Sequence, residues 1–321
     1  MSHSVNMTCQ TMNCTNLEQN PLFVGVYSVV FIFGLTLNLT ALVVFFRNSK
    51  SRSHTTMYMT HLAFADLLLV CTLPVRIYFH SGLGKSLPRS MCEFTGLIML
   101  GNMYSSIFLL TCISFDRCIA VCFPLSSRVR ECRKKAWCVC LGIWILTITT
   151  SLPIYFRKKK DYQKYNITCF GGFPSYATEK APLVSTLILG FGIPLIIMIL
   201  SSWGLIRAIS KSTAVQTSDL VDSVRIKRMI ITNLAIFLFC FLPYHIMLLI
   251  LHASECSCLL LKAYRYSLMV ACLNAMLDPV AYYFTTETFR RKMDVKAVRK
   301  IRPMNSHSSD GNNRCRVPHT T

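Results

Sequence analysis

The sequence predicts an all-α membrane protein, a bundle of seven transmembrane helices with a short amphipathic eighth helix. Of its 321 residues, 53% are hydrophobic and only 15% are charged, well below the quarter that is typical of a soluble domain. Seven apolar runs approach or exceed the ~20 residues that cross a bilayer, and a backbone inside lipid must be helical to satisfy its own hydrogen bonds. These runs are 24–46, 58–79, 96–121, 137–156, 181–206, 229–251 and 264–284.

Short connections between these runs leave no room for a separate soluble domain. We predict an extracellular N-terminal segment over 1–22, the seven-helix domain over 23–285, an amphipathic helix along the membrane over 286–302, and a disordered cytoplasmic tail over 303–321. The tail is rich in Ser and Thr, so it is a candidate substrate for kinases.

The net charge of +20 is distributed unevenly along the chain. The first 20 residues contain no Lys or Arg, whereas Arg47, Lys50 and Arg52 directly follow the first run. The positive-inside rule therefore predicts a multi-pass plasma-membrane protein with an extracellular N-terminus. Because the basic residues lie mainly on the predicted cytoplasmic side, we expect no nucleic acid as a partner.

Three Asn-X-Thr sequons are candidate glycosylation sites, at Asn6, Asn13 and Asn166. Each lies on the side of the membrane that the charge distribution makes extracellular. This agreement supports the predicted orientation.

Signatures of enzymes are missing from the sequence. It contains neither His-Glu-x-x-His nor Gly-x-Ser-x-Gly, and the stretch 82–86 lacks the first glycine of a phosphate-binding loop. We therefore expect no enzyme activity, no catalytic residues and no organic cofactor. A channel or transporter is a less favoured alternative, because an odd number of helices without an internal repeat does not match the inverted-repeat plan.

A small set of polar residues interrupts the apolar runs, where polar groups are costly and usually functional. Two carboxylates brought together in lipid would repel each other, and oxygen ligands suit a hard cation such as Na⁺. We predict an allosteric sodium site, with a hydrated polar network lacking an ion as the alternative. Its candidate ligands are Asp66, Asn102, Ser106, Asn274 and Asp278.

Motifs occur in order along the runs. The third run ends in Asp116-Arg117-Cys118, the sixth contains Cys-Phe-Leu-Pro-Tyr over 240–244, and the seventh contains Asp-Pro-Val-Ala-Tyr over 278–282. Together they resemble the Asp-Arg-Tyr, helix-six proline and Asn-Pro-x-x-Tyr motifs of rhodopsin-like G-protein-coupled receptors. The segments 74–78 and 102–106 are similar to the branch of nucleotide receptors and the related lysophosphatidic acid receptors.

This resemblance implies roles for particular residues. A heterotrimeric G protein is the implied partner, together with arrestin and receptor kinases. The implied disulfide joins Cys92 to Cys169, and a second would join Cys9 or Cys14 to Cys256 or Cys258. The coupling residues would be Asp116, Arg117, Leu125 and Tyr282, and the activation residues would be Phe241, Pro243, Asp278 and Pro279. Basic residues that follow Leu125, over 128–135, are expected to meet anionic membrane lipid.

The ligand is predicted from charge. Met99 stands where amine receptors carry an aspartate, whereas Arg and Lys on the predicted outer side suit phosphate or carboxylate. The stretch 246–251 is wholly apolar where nucleotide-binding members carry a basic residue. We therefore expect an anionic lipid such as a lysophospholipid, with a nucleotide or small organic acid as the alternative. Candidate ligand contacts are Arg76, Lys85, Arg89, Met99, Tyr104, His245, Tyr264 and Arg265.

Overall fold

The computed structural model describes eight stretches of the chain: 19–47, 54–83, 87–123, 125–165, 169–170, 179–211, 217–254 and 257–285. Within them, the side chains of 157–165, 211, 217–223 and 282–285 are not described. The predicted sequons, Lys85, Cys9, Cys14, Cys256, the amphipathic helix and the tail lie outside the described residues, and so does the side chain of Tyr282.

The described residues form a helical bundle. Its helices are α1 (Pro21–Arg47), α2 (His54–Tyr78), α3 (Arg89–Cys122), α4 (Ser127–Lys134), α5 (Ala136–Tyr165), α6 (Lys180–Ser185), α7 (Ile193–Lys211), α8 (Thr217–Ala253), α9 (Cys258–Cys272) and α10 (Asn274–Thr285). A π-helical turn, Phe79–Leu83, extends α2, and a second, Thr186–Gly192, joins α6 to α7.

The predicted membrane bundle is confirmed. Within the described stretches, six continuous helical spans are long and apolar enough to cross a bilayer. The seventh predicted run appears as α9 and α10, which are divided at Leu273, so neither half is long enough alone. Large apolar side chains such as Ile32, Ile196 and Trp203 are more than half exposed on the outside of the bundle, as lipid contact requires.

The seventh span also contains a proline, and α1 supplies a donor for the carbonyl that this proline leaves without a partner. Pro279 has no backbone N–H, so it cannot donate to the carbonyl of Ala275 four residues earlier. The Asn38 amide donates to that Ala275 carbonyl instead, at 2.6 Å, and it also donates to the carbonyl of Gly34 at 3.0 Å. A buried carbonyl that would otherwise lack a partner thus ties the seventh span to the first.

Two glycines allow close contact between spans. A Cβ at Gly34 would lie 2.8 Å from Cγ2 of Val70 in α2, and a Cβ at Gly190 would lie 2.9 Å from Cε1 of Tyr104 in α3. Both distances are below van der Waals contact. Glycine is therefore needed where α1 meets α2 and where the second π-helical turn meets α3.

The two ends of the bundle are distinguished by the residues they carry. We call the end that carries Cys92 the outer end and the end that carries α4 the inner end. The structure contains the Cys92–Cys169 disulfide, with the two Cα atoms 5.7 Å apart. Cys258 is also disulfide-bonded, and its partner lies outside the described residues.

Candidate functional site

A cavity of about 940 Å³, including its mouth, opens at the outer end of the bundle. Its wall is mainly apolar but contains three charged residues, Arg76, Glu93 and Arg265. The remaining lining residues are Phe23, Tyr27, His80, Gly96, Leu97, Met99, Leu100, Ser151, Ile154, Tyr155, Phe170, Tyr264 and Leu268. A large apolar cavity with a few convergent polar groups is the usual form of a small-molecule site.

Arg76 is the most constrained charge in this outer cavity. Its side chain is only 5% exposed, so it points into the bundle and not toward lipid headgroups. The guanidinium carbon lies 4.5 Å from the centre of the Phe170 ring, and the guanidinium interacts with the Tyr27 hydroxyl. Among the described residues, Arg76 Nε has no hydrogen-bond partner.

Phe170 reaches Arg76 because the disulfide holds the neighbouring residue. Cys169 is bonded to Cys92 at the start of α3, and Phe170 follows with a left-handed φ of 53°. This conformation is uncommon for a residue with a bulky side chain. The ring also packs edge-on against Phe79, with centroids 5.2 Å apart. The outer loop therefore places an aromatic face over the buried cation.

The structure brings together four of the predicted ligand residues and separates others. Arg76, Met99, Tyr264 and Arg265 all line the outer cavity. Arg89 is exposed and does not line it. Tyr104 and His245 lie outside the lining as well, in edge-to-face contact with each other at 6.1 Å.

Several lining residues were not predicted from the sequence. Glu93 and His80 are buried polar groups of the cavity wall, and His80 stacks on Phe23 with centroids 4.7 Å apart. Glu93 could have been found, because it directly follows the cysteine that anchors the outer loop. Phe170 could have been found by the same argument, since it follows the other cysteine.

An aromatic series runs inward from His245. His245 stacks on Phe191 at 4.2 Å, Phe191 stacks on Phe237 at 5.3 Å, and Phe237 meets Phe241 edge-on at 5.7 Å. His245 Nδ1 lies 2.7 Å from the Phe241 carbonyl oxygen, so Nδ1 carries the proton that is donated. Through Phe191, the series connects the second π-helical turn with the part of α8 that contains Pro243.

The five predicted sodium ligands are all buried at mid-membrane. The Asn102 amide donates to Asp66 Oδ1 at 3.1 Å and to the Ser106 hydroxyl at 3.4 Å. The Asn274 amide donates to the same Asp66 oxygen at 3.5 Å. Asp278 is close enough to Asp66 to interact with it electrostatically. We call these five residues the mid-membrane cluster.

Most oxygens of the mid-membrane cluster are not hydrogen-bonded. Within the described part of the chain, Asp66 Oδ2, Asn274 Oδ1 and both carboxylate oxygens of Asp278 form no hydrogen bond of good geometry, although the Asn274 amide lies near Asp278. Leaving such atoms unpaired in a low-dielectric interior is costly. Carboxylate and amide oxygens are the ligands of a hard cation, so the residues present fit Na⁺.

Asp116, a buried carboxylate at the inner end, is fully paired. Arg133 of α4 donates from Nε to Oδ1 at 2.7 Å and from Nη2 to Oδ2 at 3.1 Å. The Thr55 hydroxyl donates to Oδ2 at 2.5 Å. The hydrogen bonds to Asp116 raise the pKa of Arg133 above its ordinary value. Arg133 was predicted to meet lipid, and this is wrong, because the side chain turns inward to the carboxylate.

The neighbouring Arg117 does not share this arrangement, since its Nε has no hydrogen-bond partner in the described residues.

The turn before α4 leaves Leu125 97% exposed. Ser126 caps α4 by accepting from the Val129 amide at 3.4 Å. The inner end therefore presents Leu125 in the turn that leads into α4, the helix that Arg133 fastens to α3.

The sequence is similar to those of known membrane receptors. A family model for the 7 transmembrane receptor (rhodopsin family) matches residues 37–282. The chain is 34% identical to lysophosphatidic acid receptor 4 of Mus musculus, over 83% of this chain and 75% of the relative. It is 34% identical to lysophosphatidic acid receptor 6 of Homo sapiens, over 86% and 83%. It is 33% identical to cysteinyl leukotriene receptor 1 of Mus musculus, over 91% and 88%.

Proposed function

Because the chain belongs to the rhodopsin family of seven-transmembrane receptors, we propose that it detects an anionic lysophospholipid in its outer cavity. As a member of this family, it is a multi-pass receptor of the plasma membrane that signals through heterotrimeric G proteins. In our proposal the outer end faces the extracellular side, as the positive-inside rule predicts.

Arg76 is the observation that carries the ligand proposal. A buried guanidinium with an unpaired Nε is costly unless an anion completes its hydrogen bonds. Arginine presents several N–H donors in a planar fork that matches a phosphate. Arg265 adds a second positive charge to the same cavity, while Glu93 contributes the only negative one among its described lining residues.

The rest of the cavity suits hydrocarbon. Leu97, Leu100, Ile154 and Leu268 contribute to its wall, which would accommodate the glycerol and the first carbons of an acyl chain. Two of the similar proteins are receptors named for lysophosphatidic acid, which has this combination of a phosphate and one chain. This chemistry favours a lysophospholipid over a nucleotide.

A signalling assay tests the ligand proposal. Cells that express the receptor are exposed to oleoyl lysophosphatidate and to purine and pyrimidine nucleotides, with several G-protein subtypes read in parallel. We expect a response to the lysolipid that Arg76→Gln weakens by about tenfold or more, equivalent to the loss of one charge-assisted hydrogen bond.

Arg89→Gln is the matched control, because it removes the same charge from an exposed position outside the cavity. We expect it to leave the response within about twofold of the unmutated receptor. A response to nucleotides and not to lysolipids would overturn the ligand proposal.

At the inner end, we propose that Leu125 enters an apolar pocket of the G protein, with Arg117 and Tyr282 contributing to the same interface. The exposed Leu125 lies in the turn that leads into α4, and the Asp116–Arg133 pair fixes the position of that helix. Leu125→Asp is expected to keep surface expression and ligand binding while abolishing G-protein activation in membranes. Normal activation by that variant would contradict the assignment.

Arrestin and receptor kinases are proposed partners of the Ser- and Thr-rich tail.

We also propose that Na⁺ binds in the mid-membrane cluster. Asp66 and Asp278 would supply charged oxygens, and Asn102, Ser106 and Asn274 would orient them. A bound cation lets both carboxylates remain ionised and so stabilises the arrangement of α2, α3 and α10 seen here. Agonist binding that narrows this space would weaken sodium binding, and sodium would weaken agonist binding to the same extent.

A further inference from the structure

We propose that a second, membrane-facing crevice binds the acyl chain of the ligand. This inference rests on the proposed function and adds a binding site to it. The crevice, of about 630 Å³, lies between α2, α3 and α5. It is lined by Ala65, Leu68, Leu97, Ile98, Gly101, Asn102, Trp144, Thr147, Ile148, Ser151 and Leu152. We call it the α3/α5 crevice.

Carbon atoms make up nearly all the surface that this crevice presents. The Thr147 hydroxyl donates to the carbonyls of Ile143 and Trp144, at 2.9 and 3.1 Å. The Asn102 amide donates to Asp66 and Ser106. The Thr147 and Asn102 side chains are therefore already engaged within the protein, and the remaining surface, which is mainly apolar, matches a hydrocarbon chain.

The crevice adjoins the outer cavity. Leu97 of α3 and Ser151 of α5 line both spaces, so the two spaces meet at these side chains. On the cavity side of this junction stand Arg76 and Arg265, and on the crevice side stands an apolar surface. An amphiphile with a charged headgroup and one chain matches this change in chemistry, whereas a nucleotide has no part that would occupy the crevice.

The crevice is also open to the bilayer. Ile148 is 52% exposed and Leu152 is 38% exposed on the outside of the bundle. Between Trp144 and Leu152, the helical rise gives the crevice a length of about 12 Å along the membrane. A lysophospholipid already inserted in the membrane could place its chain here from the side, without leaving the hydrocarbon for water.

Occupation of the crevice would act on the mid-membrane cluster. The inner end of the crevice is formed by Asn102 and Trp144, and Asn102 donates directly to Asp66. A chain long enough to reach Asn102 contacts a residue that orients the proposed sodium ligands, whereas a short chain stops above it. The receptor is therefore expected to distinguish chain length as well as headgroup.

Gly101 offers a way to fill the crevice without disturbing the fold. It lines the crevice, and a Cβ built on it meets no atom within 4 Å. Gly142 of α5 has the same open surroundings but does not line the crevice. The two variants Gly101→Leu and Gly142→Leu therefore add the same side chain to a lipid-facing helix, and only the first one occupies the proposed site.

Binding is measured on purified receptor in nanodiscs, with oleoyl and butanoyl lysophosphatidate as probes. We expect Gly101→Leu to weaken oleoyl lysophosphatidate about tenfold, because the contacts of several methylenes are lost. Gly142→Leu is expected to leave it unchanged, and butanoyl lysophosphatidate is expected to bind all three proteins equally. Equal binding of the oleoyl probe to all three would overturn the crevice proposal and leave the headgroup site intact.

Photolabelling gives a second measurement that needs no substitution. An oleoyl lysophosphatidate with a diazirine near the end of its chain should label peptides of α3 and α5 that contain Gly101 or Ile148. Labelling confined to peptides of α8 or α9 would overturn the crevice proposal. Failure of both lysophosphatidates to bind the unmutated receptor would overturn the proposed function together with this site.

Discussion

The carboxylates buried at the inner end and at mid-membrane have opposite surroundings. At the inner end, both oxygens of Asp116 accept hydrogen bonds, two from Arg133 and one from Thr55. At mid-membrane, both oxygens of Asp278 and one of Asp66 have no partner among the described residues. A carboxylate with permanent partners holds helices together, whereas carboxylates without them require a mobile species such as a cation or water. The paired arrangement fits a structural role for Asp116, and the unpaired one fits the sodium site that we propose at mid-membrane.

The largest effect is expected from removing the partner of Asp116. Arg133→Ala would leave that carboxylate buried with only the Thr55 hydroxyl, and breaking a buried ion pair costs about 3–5 kcal/mol. Because Arg133 keeps a side-chain exposure of 20%, we expect the lower end of this range. Thermal unfolding of the solubilised receptor should show a lower melting temperature. The double variant Arg133→Ala/Asp116→Asn should regain part of the loss, and no recovery would contradict the account.

The second prediction concerns the carboxylates without partners. In membranes of the unmutated receptor, sodium should weaken agonist affinity by a factor of about 5 to 150 relative to a bulky organic cation at equal ionic strength. Asp66→Asn removes one charged ligand and should abolish the difference. The absence of a sodium effect in the unmutated receptor would leave a hydrated network as the better description of the mid-membrane cluster.

The smallest effect is expected at an ion pair that is not buried. Lys134 donates to Glu131 at 2.6 Å, and this hydrogen bond lowers the pKa of the Glu131 carboxyl. A lowered pKa in the folded state means that the pair stabilises α4 above the ordinary Glu pKa of about 4.3 and ceases to do so as the pH falls further. Both side chains are more than half exposed. Glu131→Gln should therefore leave the melting temperature at neutral pH unchanged, and a loss similar to that of Arg133→Ala would contradict the comparison.

The number and order of the spans could be predicted from the sequence, because lipid demands long apolar helices. The break at Leu273 could not, because neither proline nor glycine stands at or next to that position. The mid-membrane cluster could be predicted as a group, because polar residues are rare inside the spans. The inward turn of Arg133 could not be predicted, because a basic residue in a charged connection also fits a membrane surface.

The outer cavity was predictable only in part. Arg76 is recognisable as a charge inside an apolar run, but such a position fits an arginine that faces lipid headgroups as well as one that faces the bundle. The Phe170 ring packs against the Arg76 guanidinium inside the bundle. The position of Phe170 follows from a disulfide between residues 77 positions apart. Contacts of this range depend on the folded bundle, so no local pattern encodes them.

The central claim is that the buried guanidinium of Arg76 binds the anionic headgroup of a lipid. The most direct test compares oleoyl lysophosphatidate with oleoylglycerol, which has the same chain and no phosphate, for binding to the purified receptor. We expect the lysophosphatidate to bind much more tightly, and we expect Arg76→Gln to remove most of that preference while Arg89→Gln retains it. Equal binding of the two lipids, or a full preference in Arg76→Gln, would contradict the account.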